Sequence, residues 1–225
     1  MGTEREFAFL ATGKTISEAE EKVQNAINSV KGTFYYRSDI GTAPLINSKV
    51  RAVGLQQQAE IVFRKAEATD FLDVHDFIST CPPLESYAEH VYKILLRYFG
   101  NSCFIAQWRN RIVGFVLGFI SQSHTPATYF LWQIGVSPFI HGTGLGSRIL
   151  KEVENGVRQL GVQRIELTID PENIPSIKLF TKNGYGNISE NVGETVKVKD
   201  YPAIKDFYKP GRHFMLFEKQ LATRE

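Results

Sequence analysis

The chain has 225 residues, 43% of them hydrophobic and 22% charged, with a net charge of +2. That is globular material with enough apolar residues for a sizeable core, as one large domain or as a domain plus an appendage. No basic cluster argues for nucleic acid, no apolar run nears the roughly 20 residues that span a bilayer, and Cys81 and Cys103 are too few for a disulfide framework or a zinc site.

The first 58 residues read as a unit of their own. "REFAFLAT" (5–12) has strand content. Ser17 opens a capping box with Glu20, and Ala19, Val23, Ala26, Ile27 and Val30 follow at helical spacing up to a stop at Gly32. "TFYYRSDI" (33–40) and "SKVRAVGLQQQ" (48–58) predict two further strands, giving a small β-α-β-β domain over 1–58. A second domain is expected over 59–225, opening with "AEIVFRKAE" (59–67). Thr69 then caps a helix that buries Phe71, Val74 and Ile78, and a "CPPL" turn (81–84) precedes a helix over about 86–99.

"SCFIAQW" (102–108) and "IVGFVLGFIS" (112–121), joined by "RNR", spell a hairpin, and after the polar break "QSHTPA" a third strand ends at Val136. A helix over 144–160 puts Leu145, Ile149, Leu150, Val153, Val157 and Leu160 on one stripe. A strand (161–170), a short helix (175–184) and a closing strand (213–221) follow, with a less regular tail before the last of these. Hairpins first and a strand–helix–strand unit later predict an α/β protein of mixed (α+β) type, a central mixed sheet flanked by helices.

Three glycines, Gly142, Gly144 and Gly146, stand where the strand ending at Val136 hands over to the next helix. A helix N-terminus offers unpaired amides and a partial positive charge, so a glycine-rich turn before it makes a seat for an anion. The dinucleotide fingerprint fails, because Ser147 stands in the third glycine's place, and the nucleoside-triphosphate loop fails for want of Gly-Lys-Ser/Thr. A merely tight strand-to-helix turn is the plain alternative.

"VSPFIHGTGLGSRIL" followed by "DPENIPSIKLFTKNGY" resembles the GNAT superfamily of N-acetyltransferases over roughly residues 59–221. The resemblance implies the GNAT fold and acetyl-CoA as cosubstrate. It implies pyrophosphate binding at His141, Gly142, Thr143, Gly144, Leu145, Gly146 and Ser147, and further cofactor contacts from Asn173, Ser176 and Phe180. The pantetheine arm would lie along Ile134, Gly135 and Val136, as an added strand. "CPPLE", "VYKILLRYF", "SCFIAQ", "VGFVLGF", "FLWQIGV" and "NIPSIKLF" are similar, more narrowly, to the diaminobutyrate acetyltransferase family of ectoine biosynthesis, with Glu85, Tyr87, Ala88 and His90 as departures from that family's Asp, Asn, Ser and Tyr. Glu85, Tyr87, Trp132 and Gln133 are then expected to form the substrate pocket. Residues 1–58 resemble dodecins in element order but carry "TFYYRSDI" where those proteins place a flavin-stacking tryptophan.

Acetyl transfer needs a neutral amine, although a free alkylamine has a pKa of about 10.4, so a base must take its proton. Glu166 and Asp170 are the candidates on the strand after the glycine helix, with Glu85 as a third, and each could equally be a solvated or cap-forming acid. The resemblance implies that, as in many relatives, a tyrosine of the second signature would protonate the leaving thiolate, but Phe180 holds that place, leaving Tyr185, Tyr129, water or an unassisted thiolate. The expectations are a cytoplasmic homo-oligomer, for example a dimer, that takes a small-molecule amine and has no metal, membrane or nucleic-acid partner. Transfer to a protein or peptide amine, and a non-catalytic acyl-CoA-binding module, stay open beside it.

Overall fold

The computed structural model describes residues 9–31 and 61–221. The chain divides into two units, Met1–Gln56 and Gln57–Glu225. In the first, helix α1 runs Ile16–Asn28, with the Thr15 side chain accepting the Glu18 amide at 3.2 Å. Thr15, not Ser17, is therefore the N-cap, and the helix ends at Asn28 with Ser29 as its cap. The strands expected at 33–40 and 48–58, and Gly32, lie outside the described residues.

The second unit is built on β1 (Val62–Lys65), α2 (Phe71–Ser79), α3 (Glu89–Phe99), β2 (Phe104–Trp108), β3 (Arg111–Ile120), β4 (Thr128–Val136), α4 (Leu145–Arg158), β5 (Arg164–Ile169), α5 (Ile174–Lys182), β6 (Gly186–Asn187), β7 (Thr195–Val198), β8 (Tyr201–Lys209) and β9 (Arg212–Gln220). The strand order is β1-β2-β3-β4-β5-β9-β8-β7, with β6 also on β9. Every neighbouring pair is antiparallel except β4 and β5. This is the mixed sheet flanked by helices read from the sequence. The β2–β3 turn has Arg109 at φ 47 and Asn110 at φ 62, the positive pair that a two-residue hairpin needs to match strand twist.

Alternation along the strands sends side chains to two cores. Val116 and Ala106 join Ile149, Leu150, Val153 and Val157 of α4 on one face, with Ile177 and Phe180 of α5. Ile105, Phe115 and Leu117 meet Val74, Ile78, Tyr92 and Leu96 of α2 and α3 on the other. Burying each such aliphatic side chain contributes about 1.5–3 kcal/mol as an upper estimate. Leu160 lies past the end of α4 and is 36% exposed, so the buried stripe stops at Val157. The start of α2 is pinned by Asp70, whose carboxylate accepts the Glu67 amide at 2.7 Å; Thr69 is not its cap. The same carboxylate takes both terminal nitrogens of Arg64, each at 2.7 Å, and so ties β1 to α2.

The tail read as irregular in the sequence forms β6, β7 and β8. Lys199 (φ 47) and Asp200 (φ 68) turn β7 into β8, and Pro210-Gly211, with Gly211 at φ 79, turns β8 into β9.

Candidate active site

Strands β4 and β5 pair through three positions only, Thr128 with Arg164, Tyr129 with Ile165 and Phe130 with Glu166. Beyond that point both strands continue, to Val136 and Ile169, without pairing. The fork between them leaves the β5-facing main-chain groups of the upper β4 without a strand partner. A cavity of about 550 Å³ opens there. Ile134 lines it, one of the three positions expected to carry the pantetheine arm; Gly135 and Val136 follow on the same strand outside its lining.

The substrate candidates converge on this cavity. Leu117 pairs with Gln133 and Gly118 with Leu131, so Trp132 is an extra residue, a bulge that re-aims its side chain. Its ring packs on Tyr87 at 5.2 Å and is stacked on Tyr92 at 6.1 Å. The Tyr87 amide donates to the Tyr92 hydroxyl at 3.0 Å, and the Tyr87 hydroxyl donates to the Glu85 carboxylate at 3.0 Å. Burial first, then the Glu85 acceptor and its charge, push the Tyr87 phenol up from its ordinary pKa. Gln133 is 6% exposed; its Nε2 donates to the Glu85 carbonyl at 2.8 Å, while its Oε1 has no hydrogen-bond partner among the described residues. An unpaired buried acceptor costs about 1–3 kcal/mol, which a donor in the cavity region would offset. Glu85, Tyr87, Trp132 and Gln133 all line the cavity.

The glycine junction divides its labour. Gly142 (φ 76) and Gly144 (φ 89) are left-handed, and Gly144 is the N-cap from which α4 starts with its first-turn amides open. Gly146 is needed for another reason. A Cβ there would sit 3.2 and 3.3 Å from the δ carbons of Leu179, so its smallness lets α4 pack closely on α5. Leu145 is buried and offers only its backbone. The Thr143 hydroxyl donates to the Ile140 carbonyl at 2.6 Å, and the Ser147 hydroxyl accepts from Asn183 Nδ2 at 3.0 Å. His141 Nε2 is hydrogen-bonded to the Val136 carbonyl at 2.9 Å, where Cys81 Sγ also reaches at 3.7 Å. Only the other ring nitrogen of His141 is left for an anion. Asn173 caps α5 through the Ser176 amide at 3.2 Å, and Asn173, Ser176 and Phe180 line the cavity.

The three expected catalytic residues separate. Asp170 lines the cavity just past β5, with Oδ1 accepting the Glu172 amide at 2.9 Å. Glu166 does not line it. It is the last residue of β5 paired with β4, below the fork, and it bonds Arg164 at 3.0 Å. Tyr185 is also outside, 3% exposed, with its hydroxyl donating to Glu154 at 3.1 Å. Burial, then the charge and acceptor of Glu154, hold its pKa far above the ordinary phenol value. Tyr129 is fully buried and donates to the Ser102 carbonyl at 2.8 Å. Both hydroxyls are thus engaged by protein acceptors away from the cavity lining.

The cavity has a wall that motif reading missed. Tyr208, Lys209, Arg212 and Phe214, from the β8–β9 hairpin, line it with Thr168, whose hydroxyl lies 2.9 Å from that of Tyr208. Arg212 lies 5.3 Å over the Phe214 ring and 3.6 Å from the Glu85 carboxylate. The dipeptide Pro210-Gly211 in "KPGR" was the available signal, since Pro then Gly favours a type II turn. Among the described residues no group of three His, Cys, Asp or Glu could hold a metal, and no helix is long and apolar enough to cross a membrane.

This architecture has known counterparts. The chain is 34% identical over 132 residues to the L-2,4-diaminobutyric acid acetyltransferase of Halomonas elongata, covering 58% of this chain and 68% of that one. It is 33% identical over 123 residues to the enzyme of the same name from Chromohalobacter salexigens, covering 54% and 64%. The match thus spans about two thirds of each relative. Among solved structures it resembles diaminobutyrate acetyltransferase EctA from Paenibacillus lautus, in complex with L-2,4-diaminobutyric acid and coenzyme A. That likeness has a TM-score of 0.57 at 26% identity, over 74% of this chain and 98% of that one. The profile of the acetyltransferase (GNAT) family matches residues 71–185, and the chain belongs to that family.

Proposed function

We propose that this acetyltransferase moves the acetyl group of acetyl-CoA to a primary amine of L-2,4-diaminobutyrate. One observation carries the reading. The loop around Glu85, the bulged segment Trp132–Ile134 and the α5 face from Asn173 to Phe180 are far apart in sequence, yet all line one cavity in the fork of the sheet. Each segment contains a stretch similar to the diaminobutyrate family, "CPPLE", "FLWQIGV" and "NIPSIKLF", although Glu85 and Tyr87 depart from it.

In this reading the pyrophosphate rests on the amides at the start of α4, and the pantetheine arm follows the open edge of β4 toward the fork. The acceptor lies among Trp132, Tyr87 and Glu85. Asp170, held by the Glu172 amide, takes the proton from the attacking amine. A backbone amide of upper β4 donates to the thioester oxygen as charge gathers there. Phe180 carries no proton, so coenzyme A leaves as a thiolate that solvent protonates, as a thiol of pKa about 8.5 allows. Thiol release from acetyl-CoA across 2,4-diaminobutyrate, ornithine, lysine, putrescine and a lysine peptide tests the acceptor. Diaminobutyrate should have the highest kcat/KM, and a faster lysine peptide would sink the small-molecule reading.

A further inference from the structure

We infer that Arg212, with Lys209, binds the carboxylate of the acceptor, and that the Arg212–Glu85 ion pair is the substrate-free form of that subsite. The inference rests on the reading of the acceptor as an amino acid. Among the described residues lining the cavity, Lys209 and Arg212 are the only cations. Three carboxylates share that lining, Glu85, Asp170 and Glu172, and Glu172 already pairs with Lys199 at 3.1 Å. A zwitterion entering this cavity must therefore place its carboxylate on the β8–β9 turn, since a carboxylate beside the acids alone would be repelled.

The turn is built for that task. Lys209 and Arg212 face each other across it in register, and Gly211 at φ 79 gives it the tight two-residue form. The guanidinium lies 5.3 Å over the Phe214 ring, a cation–π contact that favours its place at the cavity. Its present partner is held loosely. Arg212 and Glu85 are 3.6 Å apart, and their side chains are 45% and 63% exposed. That spacing is an ion pair without a short hydrogen bond, easily exchanged for a bidentate carboxylate. Once released, Glu85 faces the ammonium group that does not react, so one amino acid replaces one internal ion pair at equal charge. A plain diamine could satisfy Glu85 but would leave Arg212 unpaired.

The test compares amino acids with their decarboxylated counterparts in the full chain: 2,4-diaminobutyrate with 1,3-diaminopropane, ornithine with putrescine, lysine with cadaverine. For the pair that is turned over, kcat/KM should favour the acid by about 100-fold. Arg212→Ala should cut that preference about 10- to 100-fold, chiefly through KM for the acid. Arg212→Lys should keep part of it and Arg212→Glu should reverse it. Unchanged coenzyme A binding shows that each variant is folded, and if Arg212→Ala fails that check the Lys and Glu variants make the same comparison. A preference for the acid that is undiminished in the Ala and Glu variants overturns the inference and leaves the acceptor reading standing. Wild-type preference for the diamine, or silence on all six amines, overturns both.

Discussion

Tyr185→Phe separates a catalytic tyrosine from a structural one. The ring sits edge-on to Phe180 at 5.2 Å, so it is one side chain from the cavity and in the family's second signature. Its hydroxyl, however, donates to Glu154 Oε1 at 3.1 Å, an atom that Lys219 Nζ also reaches at 2.7 Å. Removing the hydroxyl leaves Glu154 paired with Lys219, so the loss is at the low end for a charge-assisted bond, about 1.5 kcal/mol. For a chain of this size that lowers Tm by about 3–6 °C. A general acid contributes about 10²–10⁴-fold to a rate. The phenol held on Glu154 contributes none, so kcat should stay within about twofold. Thiol release at saturating substrates and a thermal melt read the two effects together. A kcat loss of about 100-fold or more with Tm unchanged would refute the placement of Tyr185 outside the chemistry.

Asp70→Asn should destabilise the protein by about 2–3 kcal/mol, because it breaks the two-pronged bond to Arg64 and weakens the cap at Glu67; chemical denaturation measures it. Burial raises the Asp70 pKa, but the Arg64 bonds and the Glu67 amide outweigh burial and hold it below the ordinary carboxylate value. Its contribution is therefore complete above the unfolded pKa and fades as pH falls through the lower folded one, so wild type should lose more stability than the variant below about pH 4. Gly135→Ala would place a Cβ 2.5 Å from the buried Phe115 ring, which should cost about 1–3 kcal/mol and lower acetyl-CoA affinity by shifting β4; a normal melt and normal binding would disprove the contact. Burial raises the Cys81 thiol above its ordinary pKa and pushes Cys103 up to about 12, so iodoacetamide at neutral pH should leave both unmodified in the folded protein by mass spectrometry.

What could be read from the sequence was what chain-local physics decides. The α4 stripe from Leu145 to Val157 has an unmistakable period, and the Arg109–Asn110 turn sits between two apolar runs. The glycines marked the start of α4, while the close fit of Gly146 against Leu179 could not be read from them. What stayed hidden depends on contacts between distant segments. Glu166 and Asp170 look equivalent four residues apart. Only the end of β4–β5 pairing at Phe130 puts one below the fork and the other at its opening. The bulge at Trp132 needs the β3 register to be seen. Strands β7 and β8 were missed because mixed charge along "TVKVKDYPAIKDFYK" weakened the alternation, although the two turns bracketing β8 carried their own signals.

The most direct measurement is an initial-rate matrix for the wild-type chain with acetyl-CoA and 2,4-diaminobutyrate varied together. One fork that holds both substrates for direct attack requires a ternary complex, and so reciprocal plots that intersect. Parallel lines would mean that the acetyl group first moves to the protein, as in ping-pong transfer, and would contradict direct transfer in the β4–β5 fork.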